Sequence, residues 1–113
     1  MDDKLKNALE FANYANTLFN QKKLIHQNFL DACVYYYDAG KFSIDQQLIS
    51  YCKNCLTSKN NILLDDNSIP IKISNPKQFI KNITDIYNSN IEDYYNEYQN
   101  LIKQKSVQGL IDE

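Results

Sequence analysis

The chain of 113 residues has no arginine and no tryptophan, two glycines, two prolines, three cysteines and one histidine. Each shortage excludes something. Without arginine, the side chain that forks best onto guanine edges and phosphates is missing, which argues against sequence-specific DNA reading. Two glycines, neither in a phosphate-loop pattern, leave no phosphate cradle. An odd cysteine count, with a reducing compartment expected, does not suggest a disulfide framework. No apolar run approaches the roughly 20 residues that span a bilayer. The opening MDDKLKNALEF is acidic and lacks a continuous apolar segment, so no secretory signal is expected.

Apolar content of 43% and a net charge of -2 are compatible with folding, and the length suits one domain, 1–113. Asparagine, lysine, isoleucine and tyrosine dominate, the bias that A+T-rich codons produce. From Asp2 to Asp38 there is no proline or glycine. Heptad-like rows run through Leu5, Ala12, Phe19 and Cys33, through Ala8, Ala15, Phe29 and Tyr36, and through Phe11, Leu18, Ile25 and Ala32. These rows predict one long helix over 2–38 with a broad buried face. Asp38-Ala39-Gly40 is read as its stop, and Ser43 to Gln46 as a capping box that opens a short helix over 44–57.

After the loop Ser58-Lys59-Asn60-Asn61, the stretch NILLDDNSIPIKI predicts a β-hairpin over 61–73, with Pro70 confining its strand to an edge. Such a hairpin is marginal alone and has to rest on a helix or on another chain. Asn75-Pro76 is a strong helix start. Ile80, Ile83, Tyr87, Ile91, Tyr94, Tyr98 and Leu101 then carry a second long helix over 76–105, leaving 106–113 as a tail broken at Gly109. The fold expected is α+β, mainly α. Two long antiparallel helices form a helical hairpin, or coiled coil, with a small head of one short helix and a β-hairpin.

Cys52 and Cys55 form a C-x-x-C pair, and with Cys33 and His26 they make a tempting zinc inventory. On a continuous helix, however, His26 and Cys33 lie about 10.5 Å apart along the axis, too far for one tetrahedral ion. The cysteines therefore read as small packing residues. A thioredoxin-like role needs the pair at a helix start after a strand, and the predicted helix starts two turns earlier. His26 has no nucleophile or carboxylate at a diagnostic spacing. Asp65-Asp66-Asn67-Ser68 lacks the glycine and closing glutamate of a calcium loop, and reads as a turn. No catalytic, cofactor-binding or metal residue is assigned, and no cofactor is expected. Tyrosines are the remaining signal. Tyr35, Tyr36 and Tyr37 point around a predicted helix in different directions, as do Tyr94 and Tyr95, so some rings are expected at an interface. Tyr14 falls on the polar side.

KLKNALEFANY with the later NQKK, the LLDDNSIPI hairpin, the NEYQNLIK helix and the closing SVQGLI resemble a family of small uncharacterised proteins in T4-like tailed phages of marine bacteria. The resemblance implies a viral gene expressed in a bacterial host, with the protein in the host cytoplasm or in the virion. It carries no functional residue, and the C-x-x-C pair is not part of it. The expected function is non-enzymatic protein–protein interaction in virion structure or assembly, through a protein partner or a homo-oligomer and without a membrane. Two alternatives stand beside it. One is a nucleic-acid-associated accessory factor using lysines and tyrosines. The other is an adaptor or inhibitor of a host protein, docked through the LIDE tail.

Overall fold

The computed structural model describes residues 3–56 and 60–112, with side chains given through Gln104. It is mainly helical, with two small antiparallel β-hairpins and a long C-terminal helix. The order is α1 (Asp3–Ala32), β1 (Val34–Tyr37), β2 (Gly40–Ser43), α2 (Gln46–Tyr51), a π-helical turn (Cys52–Leu56), β3 (Ile62–Leu64), β4 (Pro70–Lys72) and α3 (Pro76–Asp112). The chain divides into two compact units. One comprises residues 1–28 with 94–113, and the other Phe29–Asp93.

The second unit holds the core. The first helix ends at Ala32 and does not run on to Asp38 as its apolar rows suggested. Val34-Tyr35-Tyr36-Tyr37 is β-branched and aromatic, and it pairs with Gly40–Ser43 in the register Val34↔Ser43 to Tyr37↔Gly40. The turn between them is Asp38-Ala39, with φ of 49° and 63°. Positive φ at both central residues is the two-residue hairpin geometry that matches strand twist. The supposed helix stop is therefore a hairpin turn, and the left-handed residues in it are Asp38 and Ala39.

Gly40 is required for a different reason. A Cβ built there would run into the Ile71 side chain and meet the Asp65 carboxylate at 3.3 Å. Glycine lets β2 come this close to the second hairpin without displacing Ile71.

Strand periodicity turns Cys33, Tyr35 and Tyr37 to one face and leaves Tyr36 outside, 70% exposed. Phe79, in the first turns of α3, is the centre of the core. Tyr35, Tyr37 and Phe42 meet its ring edge-on at 5.5, 5.6 and 5.3 Å. Each such pair contributes about 0.5–1.5 kcal/mol beyond area burial. The two tyrosine hydroxyls are satisfied where they emerge. Tyr35 Oη accepts from Asn82 Nδ2 at 3.0 Å, and Tyr37 Oη accepts from the Ser74 backbone N–H at 3.1 Å. Ile44, Cys52, Leu56, Leu63, Ile71, Ile73 and Ile83 close the cluster.

The short helix is capped by Asp45, whose Oδ1 accepts from the Leu48 N–H at 2.7 Å. The expected Ser43–Gln46 capping box does not form. Ile44 N–H donates to Cys33 O at 2.8 Å, so Ser43 and Ile44 stay extended in the first hairpin and the helix starts later. Its α-helical part ends at Tyr51 and gives way to the π-helical turn. Of the expected range 44–57, Thr57 lies outside the described residues, as do Ser58 and Lys59 of the loop. The expected start of the C-terminal helix is present: Asn75 Oδ1 accepts from Gln78 N–H at 3.2 Å, directly ahead of Pro76. The helix passes Lys105 and continues through Gly109 to Asp112, where one glycine costs only about 1 kcal/mol.

The first unit has a different character. No residue of α1 is buried, so the broad buried face expected from three apolar rows is not there. A narrow row is half-buried: Tyr14, Leu18, Gln21, Lys22 and Ile25. This spacing of threes and fours is one seam wide, the width a single neighbouring helix can cover. Along it, Lys22 Nζ lies 5.6 Å from the Tyr98 ring centroid, and the His26 ring lies 5.8 Å from Tyr94.

Candidate protein-interaction surface

In the second hairpin, β3 and β4 pair in the register Ile62↔Lys72, Leu63↔Ile71, Leu64↔Pro70. Leu63 and Ile71 turn into the core, followed by Ile73 beyond the strand end. Alternation then forces Ile62, Leu64, Pro70 and Lys72 onto the other face. A half-buried strand normally carries polar residues there. Here Leu64 is 57% exposed and Ile62 43%, and Ile69, next to the turn, is 54% exposed. The hairpin is apolar on both faces, with Lys72 at the rim.

A buried carboxylate holds this hairpin's turn in shape. Asp65 Oδ1 accepts from the N–H groups of Asn67 and Ile69 at 2.8 and 2.9 Å. Ser68 N–H donates to Asp65 O at 2.9 Å, and Ser68 takes a φ of 62°. This is a turn followed by one left-handed residue, a common three-residue hairpin connection. Asp66 ties the turn to the first hairpin. Its carboxylate accepts from Ser43 N–H at 2.9 Å and from Ser43 Oγ at 2.6 Å, while its own N–H donates to Lys41 O at 2.9 Å. Asp66 thus occupies the outer edge of β2 as a neighbouring strand would. The DDNS stretch read as a turn is a turn, and its two carboxylates are engaged by backbone and hydroxyl donors.

Among the described residues, each sheet has two strands, so β3 and β4 each keep one edge without a strand partner. Ile62 N–H, on the outer edge of β3, is met by Asn60 Oδ1 at 3.3 Å. Free edges beside an exposed apolar face are what strand-adding partners use.

The other candidates lie elsewhere. Cys33 and Cys52 are buried in the core and Cys55 is exposed. Burial raises the Cys33 thiol pKa and pushes that of Cys52 up to about 11, the opposite of an activated nucleophile. The spacing of His26 and Cys33 along one helix does not apply, because Cys33 lies just beyond the end of α1. Among the described residues, no group of three or more His, Cys, Asp or Glu could hold a metal ion. None of their helices is long and apolar enough to cross a membrane. Of the consecutive tyrosines, Tyr35 and Tyr37 are core residues and Tyr36 faces out. Tyr95 is also exposed, and Tyr14, assigned to the polar side, is half-buried. Side chains of the LIDE tail lie outside the described residues. Sequence reasoning missed Phe79 and the first hairpin. The signal was there, in the alternation Cys33, Tyr35, Tyr37 and then Gly40, Phe42, Ile44. Comparison with protein-family models, curated proteins and solved structures finds no match to this chain.

Proposed function

We propose that this chain is a non-enzymatic protein-interaction module whose docking surface is the outer face and edge of the β3–β4 hairpin. One observation carries the reading: Ile62, Leu64 and Pro70 are left exposed on the face opposite the one that already supplies the core. Contiguous apolar exposure of this kind marks interaction sites. A partner that contributes a strand would gain main-chain hydrogen bonds along the edge and cover the leucine and isoleucine side chains. The resemblance to phage proteins gives the setting: virion structure or assembly, or a host protein as partner, in an infected bacterium.

The long helices fit this role as an antiparallel helical hairpin. Lys22 meets Tyr98 and His26 meets Tyr94, so sequence numbers rise on one helix as they fall on the other. The test is affinity capture from infected-cell extract with the wild-type chain and a Leu64→Lys variant. Leu64 is mostly exposed, so circular dichroism should be unchanged. The wild type should retain a specific partner that the variant loses. Equal capture by both, or by neither, removes the reading. Binding of a labelled single strand that weakens steeply with salt would favour the nucleic-acid alternative instead.

A further inference from the structure

A second apolar row lies on α1, well round the helix from its half-buried seam. Leu5, Leu9, Ala12, Asn16, Phe19 and Lys23 follow one another at alternating spacings of four and three, and all are exposed. At 100° per residue, this row is turned roughly 150° from the row through Tyr14, Leu18 and Ile25. Leu5 is 52% and Phe19 60% exposed. The spacing is that of a two-helix seam, in which alternate positions interlock with a facing helix.

We propose that this row is the interface of an antiparallel dimer, in which α1 of a second copy of this chain lies along it. In that direction the unlike members of the row complement one another. With the midpoint between Ala12 and Asn16, Leu9 faces Phe19 of the other copy, Ala12 faces Asn16, and Leu5 faces Lys23. Large apolar residues meet each other, and the small alanine leaves room for the asparagine. Each lysine, whose Nζ lies 5.4 Å from the centroid of its own Phe19 ring, comes to an end of the seam, where its stem covers Leu5 and its ammonium stays at the water boundary. A parallel pair would instead bring the two Lys23 ammonium groups together at one end of the seam, where like charges repel.

From Leu5 to Lys23 the seam runs about 27 Å at 1.5 Å per residue. Two helices packed over that length cover on the order of 1,000 Å², the size at which specific interfaces begin. The dimer is accordingly concentration-dependent and not obligate. It uses a different surface from the β3–β4 hairpin and does not depend on the function proposed for that hairpin.

Sedimentation equilibrium of the full chain from micromolar to millimolar concentration tests this. The wild type should dimerise within that range. Phe19→Glu should raise the dissociation constant at least tenfold without altering the circular dichroism spectrum, whereas Leu64→Lys should leave it unchanged. Leu5→Glu should bind as tightly as wild type or tighter, because the new carboxylate meets Lys23 of the other copy. A monomer at every concentration overturns the proposal, as does a dimer indifferent to Phe19→Glu. Loss of dimer in Leu5→Glu equal to that in Phe19→Glu overturns the antiparallel arrangement.

Discussion

The two units of this chain are built from the same residue types and bury them very differently. Phe29–Asp93 packs Phe42, Phe79, Ile73, Ile83, Cys33 and Cys52 at under 2% exposure, whereas the segment of α1 in the other unit buries no residue. The cause is dimensionality. Two strand pairs, a short helix and the start of α3 enclose side chains from several directions, and the aromatic cluster on Phe79 joins residues 37 to 44 positions away in sequence. A helix with one neighbouring helix is covered along one stripe only, and the rest of its apolar pattern stays in water. Amphipathic patterning thus states what a helix can bury, and the number of neighbours sets what it does bury.

The contrast is open to attack, and the largest effect is expected at its centre. Phe79→Ala should cost about 3–5 kcal/mol, because three edge-on ring contacts and a filled cavity are lost together. Ile25→Ala, on the half-buried seam of α1, should cost no more than about 1–2 kcal/mol, since most of the transfer and cavity terms are missing there. Denaturant unfolding of the two variants measures both. Equal losses would show that the first unit is as tightly packed as the second.

A smaller effect is expected from the buried Cys52 thiol. Its folded-state pKa is raised from 9.0 to about 11, so its contribution is complete below pH 9 and is lost as pH rises through about 11. The unfolded chain releases that proton first. The linked loss is roughly 2–3 kcal/mol. The measurement is the difference between wild type and Cys52→Ala in unfolding free energy across pH 8–11, in which contributions common to both cancel. The difference should shrink toward the alkaline end. A constant difference would mean that the site is hydrated.

The smallest effect concerns the turn that the helical pattern concealed. Ala39 at φ 63° bears strain that glycine does not. Ala39→Gly should therefore raise stability by about 0.5–1 kcal/mol in thermal or denaturant unfolding. A loss of similar size would argue against the two-residue turn, and with it against the hairpin that supplies the three rings around Phe79.

Much of this was legible in the sequence because some signals are local. Asn75-Pro76 marks its helix start by cap chemistry alone, and Ile69-Pro70-Ile71-Lys72-Ile73 announces an edge strand by alternation and by proline. The stretch from Phe29 to Tyr36 was ambiguous for a physical reason. Phe29 and Tyr36 lie in register as a heptad, while Cys33, Tyr35 and Tyr37 lie in register as a strand, so both periods fit the same residues. The strand wins because it lets Tyr35, Tyr37 and Phe42 surround Phe79, a contact that no local window contains. Ser43 lost its capping role for a similar reason: Asp66, distant in sequence, claims both its N–H and its hydroxyl. The interaction surface was half visible. Its residues were placed on a hairpin expected to rest on something, but which face would be covered was undetermined.

By itself the sequence determined the helical bulk, the second hairpin and the cap at Asn75, because these follow from intrinsic backbone preference and short-range hydrogen bonding. Tertiary structure alone decided where α1 stops, that Phe79 is the core's centre, that Gly40 admits Ile71, and that Leu64 faces water while Leu63 does not. Those outcomes depend on which distant side chains compete for the same space and the same donors, and that competition exists only after the chain has closed on itself.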